Sequence, residues 1–527
     1  MAEEDILFGK NRHLFGGIAP SNMLRFTAKR DSANNRVAIT CELPNETVVD
    51  GQVICTVAGA IIRRSTEGYP ETEFDGELVV DVTENGTVYD INASQDESIY
   101  YAAFPYSKMG VYNRNKVNRA SVGVKVNRAS VGVFEGTYLF GYDLDTNDSD
   151  PSTRVSYPTG CGNQYFTPAK MNFTSGAFEY GDWTGTAGEY FMPKPCMLKS
   201  DGTVDYYLDP NDYTKKEDGT ASDVTNSSYS GNAMMEWPKI YTKRWEENGV
   251  YHFRCSDVKV DNNYECWCNY DVNNNEIDHF YTAIYQSYAS NNTSRSRSGV
   301  GATREKSMAT ERTYAKNNGA GWDLEVLADH LLIQDLLVLI SRSTNTQTAF
   351  GSGRSSSSLV STGTTNTSGL FSGASDSSAS VKVFGMEDWW GDLSRRILGL
   401  TFYNGTVYAK ITKGTKDGST GNDYVIDSVT GYLPCEAFGT TTVYGYLSDM
   451  TTYPWGRLPS KCKGSATTYE CDYAYLLYST QYCPAEIGGS YNISSDYKGA
   501  FMYYFERIAP AQIGWMTSRL SYKPTAS

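Results

Sequence analysis

Only one stretch of this chain, residues 322–341 (WDLEVLADHLLIQDLLVLIS), repeats its apolar side chains at helical spacing. Leu324, Leu327, Leu331, Leu332, Leu336 and Leu339 recur three and four residues apart. Asp323 suits the positive end of a helix reading 323–341. The stretch is apolar nearly all round, so it belongs inside a fold, packed on a sheet. It is too short for a membrane span and is interrupted by Asp329, His330 and Asp335. His330 reads as a satisfied residue at the edge of a core, because no second histidine stands at metal-ligand spacing.

Everything else argues for strands. The 41 Tyr and 48 Gly, with abundant Ser, Thr and Asn, fit short strands joined by turns, and 40% hydrophobic content suffices for a core. The expected fold is mostly β with some α, and 527 residues exceed one ordinary domain of roughly 100–200 residues. A net charge of −15 with scattered basic residues argues against a nucleic-acid partner. The first fifteen residues carry acids and no apolar core, so no secretory leader is expected and synthesis is placed in a cytoplasm. Eleven cysteines are spread too widely for a disulfide scaffold, which favours free buried thiols. Cys266 and Cys268 stand too close for a zinc knuckle, and the acidic run 143–150 lacks the spacing and closing Glu of a calcium loop. Neither metal nor cofactor is expected.

The chain divides by composition. Residues 1–21 read as an attachment arm. Residues 22–116 hold apolar runs at 36–41, 53–57, 60–64, 77–82, 87–90 and 99–104, the spacing of a β-sandwich, with Arg63 and Arg64 on a solvated strand face. The octapeptide VNRASVGV occurs at 117–124 and again at 126–133, too few copies for a solenoid, so 117–133 is a duplicated linker or strand marking a boundary. Residues 134–527 form the remainder. Within them 236–241 reads as an edge strand that tolerates Pro238. The Ser/Thr/Gly-rich insertion 342–380 is either a flexible loop or a polar segment held by its neighbours. Residues 381–392 (VKVFGMEDWWGD) then place two Trp between glycines, which suits a packed corner.

Asp90 and the run SIYYAAFPY at 98–106 resemble the late strands of fibronectin type III domains, especially those appended to bacteriophage tail and virion proteins. That resemblance implies a spacer or docking module. FGMEDWWGD, followed by GGSYN, GAFMYYF and WMTSRLSY, resembles the C-type-lectin fold. The version is that of formylglycine-generating enzymes and of variable proteins from diversity-generating retroelements. Gly385, Glu387, Gly391, Gly488, Gly489, Trp515, Ser518, Arg519 and Ser521 match its frame. The expected architecture is thus an N-terminal fibronectin-like β-sandwich followed by a large α+β lectin-like domain.

Carried over, the resemblance implies ligand contacts at Tyr491, Asn492, Ser494, Ser495, Tyr497, Met502, Tyr503, Tyr504, Glu506, Arg507, Gln512 and Met516. Tyr469, Asp472, Tyr473, Tyr475, Tyr478 and Tyr482 would add to the rim. The residues make the same point unaided, since Tyr mixed with Ser, Asn and Asp is the chemistry of recognition surfaces. The Glu-Pro-Asn and Trp-Asn-Asp motifs of calcium-dependent sugar binding are absent.

The implied protein sits on a phage virion as a tail-fibre or receptor-binding adhesin. Its arm would join other virion proteins, and its tip would touch a bacterial surface glycan or protein. Several copies are expected, a trimer by analogy with tail fibres, with no membrane insertion and no enzymatic activity. A capsid or tail decoration without receptor binding is the alternative. A cysteine oxidase of the formylglycine type is a further one, resting on Cys471 and Cys483, which have no histidine close in sequence.

Overall fold

The computed structural model describes residues 18–31, 36–49, 52–93, 98–122, 138–184, 189–271, 273–355, 358–411, 423–491 and 497–524. The chain is mostly β. It divides into two compact units, residues 1–140 with 158–165 and residues 141–157 with 166–527. Most of the arm expected at 1–21 lies outside the described residues.

In the first unit, strands β1 (Arg25–Asp31), β2 (Arg36–Glu42), β3 (Val57–Ser65), β4 (Glu77–Val82), β5 (Gly86–Asp90), β6 (Ile99–Ser107) and β7 (Arg119–Val122) build two antiparallel sheets. Their orders are β1-β2-β5 and β4-β3-β6-β7. β2 shows the pattern that makes this possible: Val37, Ile39 and Cys41 alternate inward. They share one core with Ile62, Tyr101 and Ala103 from the other sheet.

One expectation changes here. The Arg64 side chain is not on a solvated face but only 14% exposed. It donates to the buried Asp90 carboxylate at 2.5 Å, and the Tyr101 hydroxyl donates to the same group at 2.9 Å, because a buried carboxylate needs partners. Of the linker or strand expected at the repeat, Arg119–Val122 of the first copy form strand β7, which pairs with Ile99–Ala102 of β6. The second copy lies outside the described residues.

The second unit has three larger sheets. A four-stranded sheet ends on the edge strand β8 (Tyr241–Glu247). A seven-stranded sheet runs Asp212–Lys216, Val204–Asp209, Lys194–Leu198, Asn232–Pro238, His279–Ala283, Leu520–Tyr522, Trp322–Leu324. The C-terminal strand is therefore interior, hydrogen-bonded on both sides. The segment expected as an edge strand is also internal. Pro238 is tolerated because it is that strand's last residue.

Helix α1 (Met308–Lys316) is capped by Ser307, which accepts from the Thr310 N–H. Helix α2 (Leu327–Ser341) has all its residues buried, as an all-round apolar helix must. It starts later than its periodicity suggests. Trp322–Leu324 is a strand, and Asp323 pairs with Arg312 at 2.8 Å instead of facing a helix end. A short apolar run before a helix reads the same in either state. No helix among the described residues is long and apolar enough to cross a membrane.

The eight-stranded sheet contains β9 (Ser394–Tyr403), β10 (Thr406–Ala409), β11 (Leu433–Ala437), β12 (Val443–Tyr446), β13 (Tyr473–Leu476), β14 (Cys483–Gly488) and β15 (Gly499–Phe505). Their order is β11-β10-β9-β14-β15-β13-β12, with Met516–Thr517 lying parallel to β9. α2 packs beneath it: Gln334 donates to the Ala500 carbonyl at 2.6 Å and accepts from the Tyr503 hydroxyl at 3.0 Å.

Candidate functional site: a phenolic row on a locked corner

The frame of the site is the corner at 384–392. Trp389 and Trp390 are fully buried, and the Trp390 indole donates to the Gly351 carbonyl at 3.1 Å. Gly391 has φ +80°, and a Cβ there would lie 2.5 Å from the Arg354 nitrogen, so only glycine fits. Glu387 holds the Ser/Thr/Gly-rich insertion in place. Its carboxylate accepts from the Gly363 N–H at 2.6 Å, the Thr365 N–H at 2.7 Å and the Thr365 hydroxyl at 2.6 Å. The insertion is thus the polar segment held by neighbours. Arg519, fully buried, donates to the carbonyls of Ala283 and Ile284 at 2.8 Å each and to that of Glu387, which ties the C-terminal strand to the corner. Gly489 (φ +77°) lies where a Cβ would meet the Tyr497 carbonyl at 2.3 Å, so the Gly-Gly segment also turns tightly.

His330 stacks on Trp389, ring centroids 4.9 Å apart. Contrary to the expectation of a satisfied ring, neither of its nitrogens finds a hydrogen-bond partner among the described residues. Burial, reinforced by Arg395, pushes its pKa well below the usual value, so the ring is neutral.

On this frame the strand register lines up one row of side chains. Arg396 of β9 faces Glu486 of β14, Glu486 faces Tyr504 of β15, Tyr504 faces Tyr475 of β13, and Tyr475 faces Tyr444 of β12. The rings stack along the row, Tyr504–Tyr475 at 4.7 Å and 15°, then Tyr475–Tyr444 at 6.0 Å and 29°. Exposure rises outward, from buried Glu486 to Tyr444 at 62%. A second set flanks it: Tyr473 meets Tyr446 at 5.5 Å and Tyr497 at 4.0 Å. Further along the sheet, Tyr403 stacks on Tyr482 at 4.3 Å. Stacked inner rings cover one another's faces and offer their edges and hydroxyls. Burial raises the Tyr504 pKa to about 12 and also raises that of Tyr473, which keeps both phenols protonated and able to donate or accept. At the inner end, burial lifts Glu486 to about 8 against the opposing pull of Arg396.

The structure sorts the expected contacts. Tyr491, Tyr497, Tyr504, Glu506 and Arg507 are half-buried and Gln512 is exposed. Arg507 pairs with Glu506 at 3.0 Å and lies 5.5 Å over the Trp515 ring. Three expected contacts are corrected. Met502 and Tyr503 are fully buried in the inner strand β15, where Tyr503 points to α2, and Met516 is buried beside β9. Asn492, Ser494 and Ser495 lie outside the described residues. Of the rim, Tyr469, Tyr475, Tyr478 and Tyr482 are half-buried. Asp472 is instead a core group that accepts from the Phe501 N–H at 2.8 Å and from Gln347 at 2.8 Å. Tyr473 is largely covered, at 8%. The reading missed Tyr444 and Tyr446, although their spacing of two in TTVYGY was a strand signal. It also missed Tyr403 and Tyr408, which flank an Asn-Gly hairpin turn.

Other chemistry is sparse. Cys471 and Cys483 form no disulfide, burial lifts Cys471 to about 12, and it raises Cys483 as well, so both thiols stay protonated. Glu265, Cys266 and Glu276 bring potential ligand atoms within 4.8 Å of one another. Their groups are already engaged, however: Tyr241 donates to Glu276 at 2.8 Å, Tyr270 donates to Glu265, and burial lifts the Cys266 thiol to about 12. No protein-family model matches the chain, and no curated protein matches it.

Proposed function

We propose that this chain is a bacteriophage virion surface protein, a tail-fibre or receptor-binding adhesin that grips a bacterial surface glycan or protein. The observation that carries the reading is the solvent-facing row Tyr504–Tyr475–Tyr444, held by a corner fixed through Glu387, Gly391 and Arg519. Rigid phenols supply contact area at low entropic cost, and a locked frame keeps them pre-organised. The sheet orders of the first unit support a fibronectin type III-like spacer. An interior C-terminal strand joined to the Trp-Trp corner supports a C-type-lectin-like tip. Such tips act in several copies, a trimer in this proposal, so weak single contacts multiply through effective concentration.

The test is binding of the full chain to host cells. Tyr475→Ala and Tyr504→Ala are expected to lower apparent affinity by roughly tenfold or more. Tyr503→Phe, which removes only the bond to the Gln334 side-chain oxygen, should leave binding intact while lowering stability by about 1 kcal/mol. Unchanged binding in both row variants would overturn the assignment.

A further inference from the structure

A groove of about 440 Å³ runs between the edge strand β8 and the strand Asp449–Tyr453, and it shares no residue with the phenolic row. Its backbone character follows from register. Thr242 turns its N–H and C=O to the outer side of β8, where both bond Glu265 at 3.0 Å. Outward groups recur every second residue, so Arg244 and Glu246 present theirs to the groove. No further strand lies beside β8 there among the described residues.

The side chains add hydroxyls, a carboxylate and rings. Glu246 is exposed and accepts from the Thr452 hydroxyl at 2.9 Å, a bridge that spans the groove. Tyr453 lines one wall, braced by stacking on Trp455 at 4.6 Å and 6°, whereas the Trp245 ring at the groove's border is already stacked on His252 at 4.6 Å and 17°. The nearby cations are committed, Arg244 to Asp335 at 2.7 Å, Lys461 to Asp449 at 2.5 Å, Lys243 to Asp261 at 3.0 Å and Arg254 to Asp143 at 2.8 Å.

We propose that this groove is a second binding site, one that takes a neutral, hydroxyl-rich saccharide. Carboxylate, threonine and outward backbone groups match the donors and acceptors of sugar hydroxyls, and Tyr453 matches the apolar face of a pyranose ring. The volume lies within the range of small-ligand sites, roughly 300–1,000 Å³. An anionic sugar meets Glu246 without an uncommitted cation. A continuous peptide strand meets the Glu246–Thr452 bridge, which blocks its path.

Calorimetric titration of the full chain tests the site with maltose, lactose, cellobiose and chitobiose, and with a uronic-acid disaccharide. At least one neutral disaccharide is expected to bind and the anionic one to fail. Glu246→Ala and Tyr453→Ala should each weaken binding roughly tenfold, while Tyr475→Ala leaves it unchanged. Glu246 is exposed, so its variant reports on the groove even where Tyr453→Ala folds poorly. The proposal falls if no neutral disaccharide titrates or if the titration survives Glu246→Ala. It also falls if Tyr475→Ala abolishes binding, an outcome that would move the sugar to the phenolic row and leave the adhesin reading standing.

Discussion

Tyr503 and Tyr504 adjoin in sequence and point to opposite sides of one strand, one into α2 and the other into the row. The Tyr-rich composition of the C-terminal stretch was legible. Which phenols face outward was not, because GAFMYYF is apolar on both faces of an inner strand and carries no alternation to read. Glu486 was equally hidden. Its buried position follows from pairing with both β9 and β15, which only the assembled sheet defines. The consequence is a pH dependence. Glu486 has its pKa raised from 4.5 to about 8, so the folded state holds a proton that the unfolded chain gives up earlier. The stability it contributes is complete below about pH 4.5 and is lost as pH rises through about 8. Arg396, Arg507 and Glu506 also face this carboxyl. Melting temperatures of the protein and of Glu486→Gln, taken near pH 5 and near pH 9, should show a smaller fall for the variant.

At the scale of elements, the helix was visible from its leucines and its polar residues were not understood. Asp335 breaks the apolar pattern because it serves three partners inside the fold: Arg244 at 2.7 Å, the Tyr142 hydroxyl at 2.6 Å and the Tyr251 hydroxyl at 3.0 Å. These come from three different strands and could not be paired from sequence. Asp335→Ala strands the Arg244 guanidinium in a buried site, which should cost about 3–5 kcal/mol in urea denaturation. The insertion 342–380 shows the same limit. Its composition left flexible and held readings equally open, and the deciding group, Glu387, lies beyond its end.

For the whole molecule, the spacing of short strands near ten residues announced the first unit. Its limits were less legible, because the chain leaves and re-enters it. Ile62 belongs to a core drawn wholly from the first unit. Ile62→Ala should therefore remove about 2–5 kcal/mol from that unit alone, and scanning calorimetry is expected to show one transition lowered and the other unmoved.

The segment Pro158–Tyr165 groups with the first unit although residues on both sides of it belong to the second. A single genetic crossover at residue 140 does not exchange the two units cleanly. A recombinant made that way carries residues 158–165 of one parent beside a first unit from the other, so a clean chimaera must exchange both pieces.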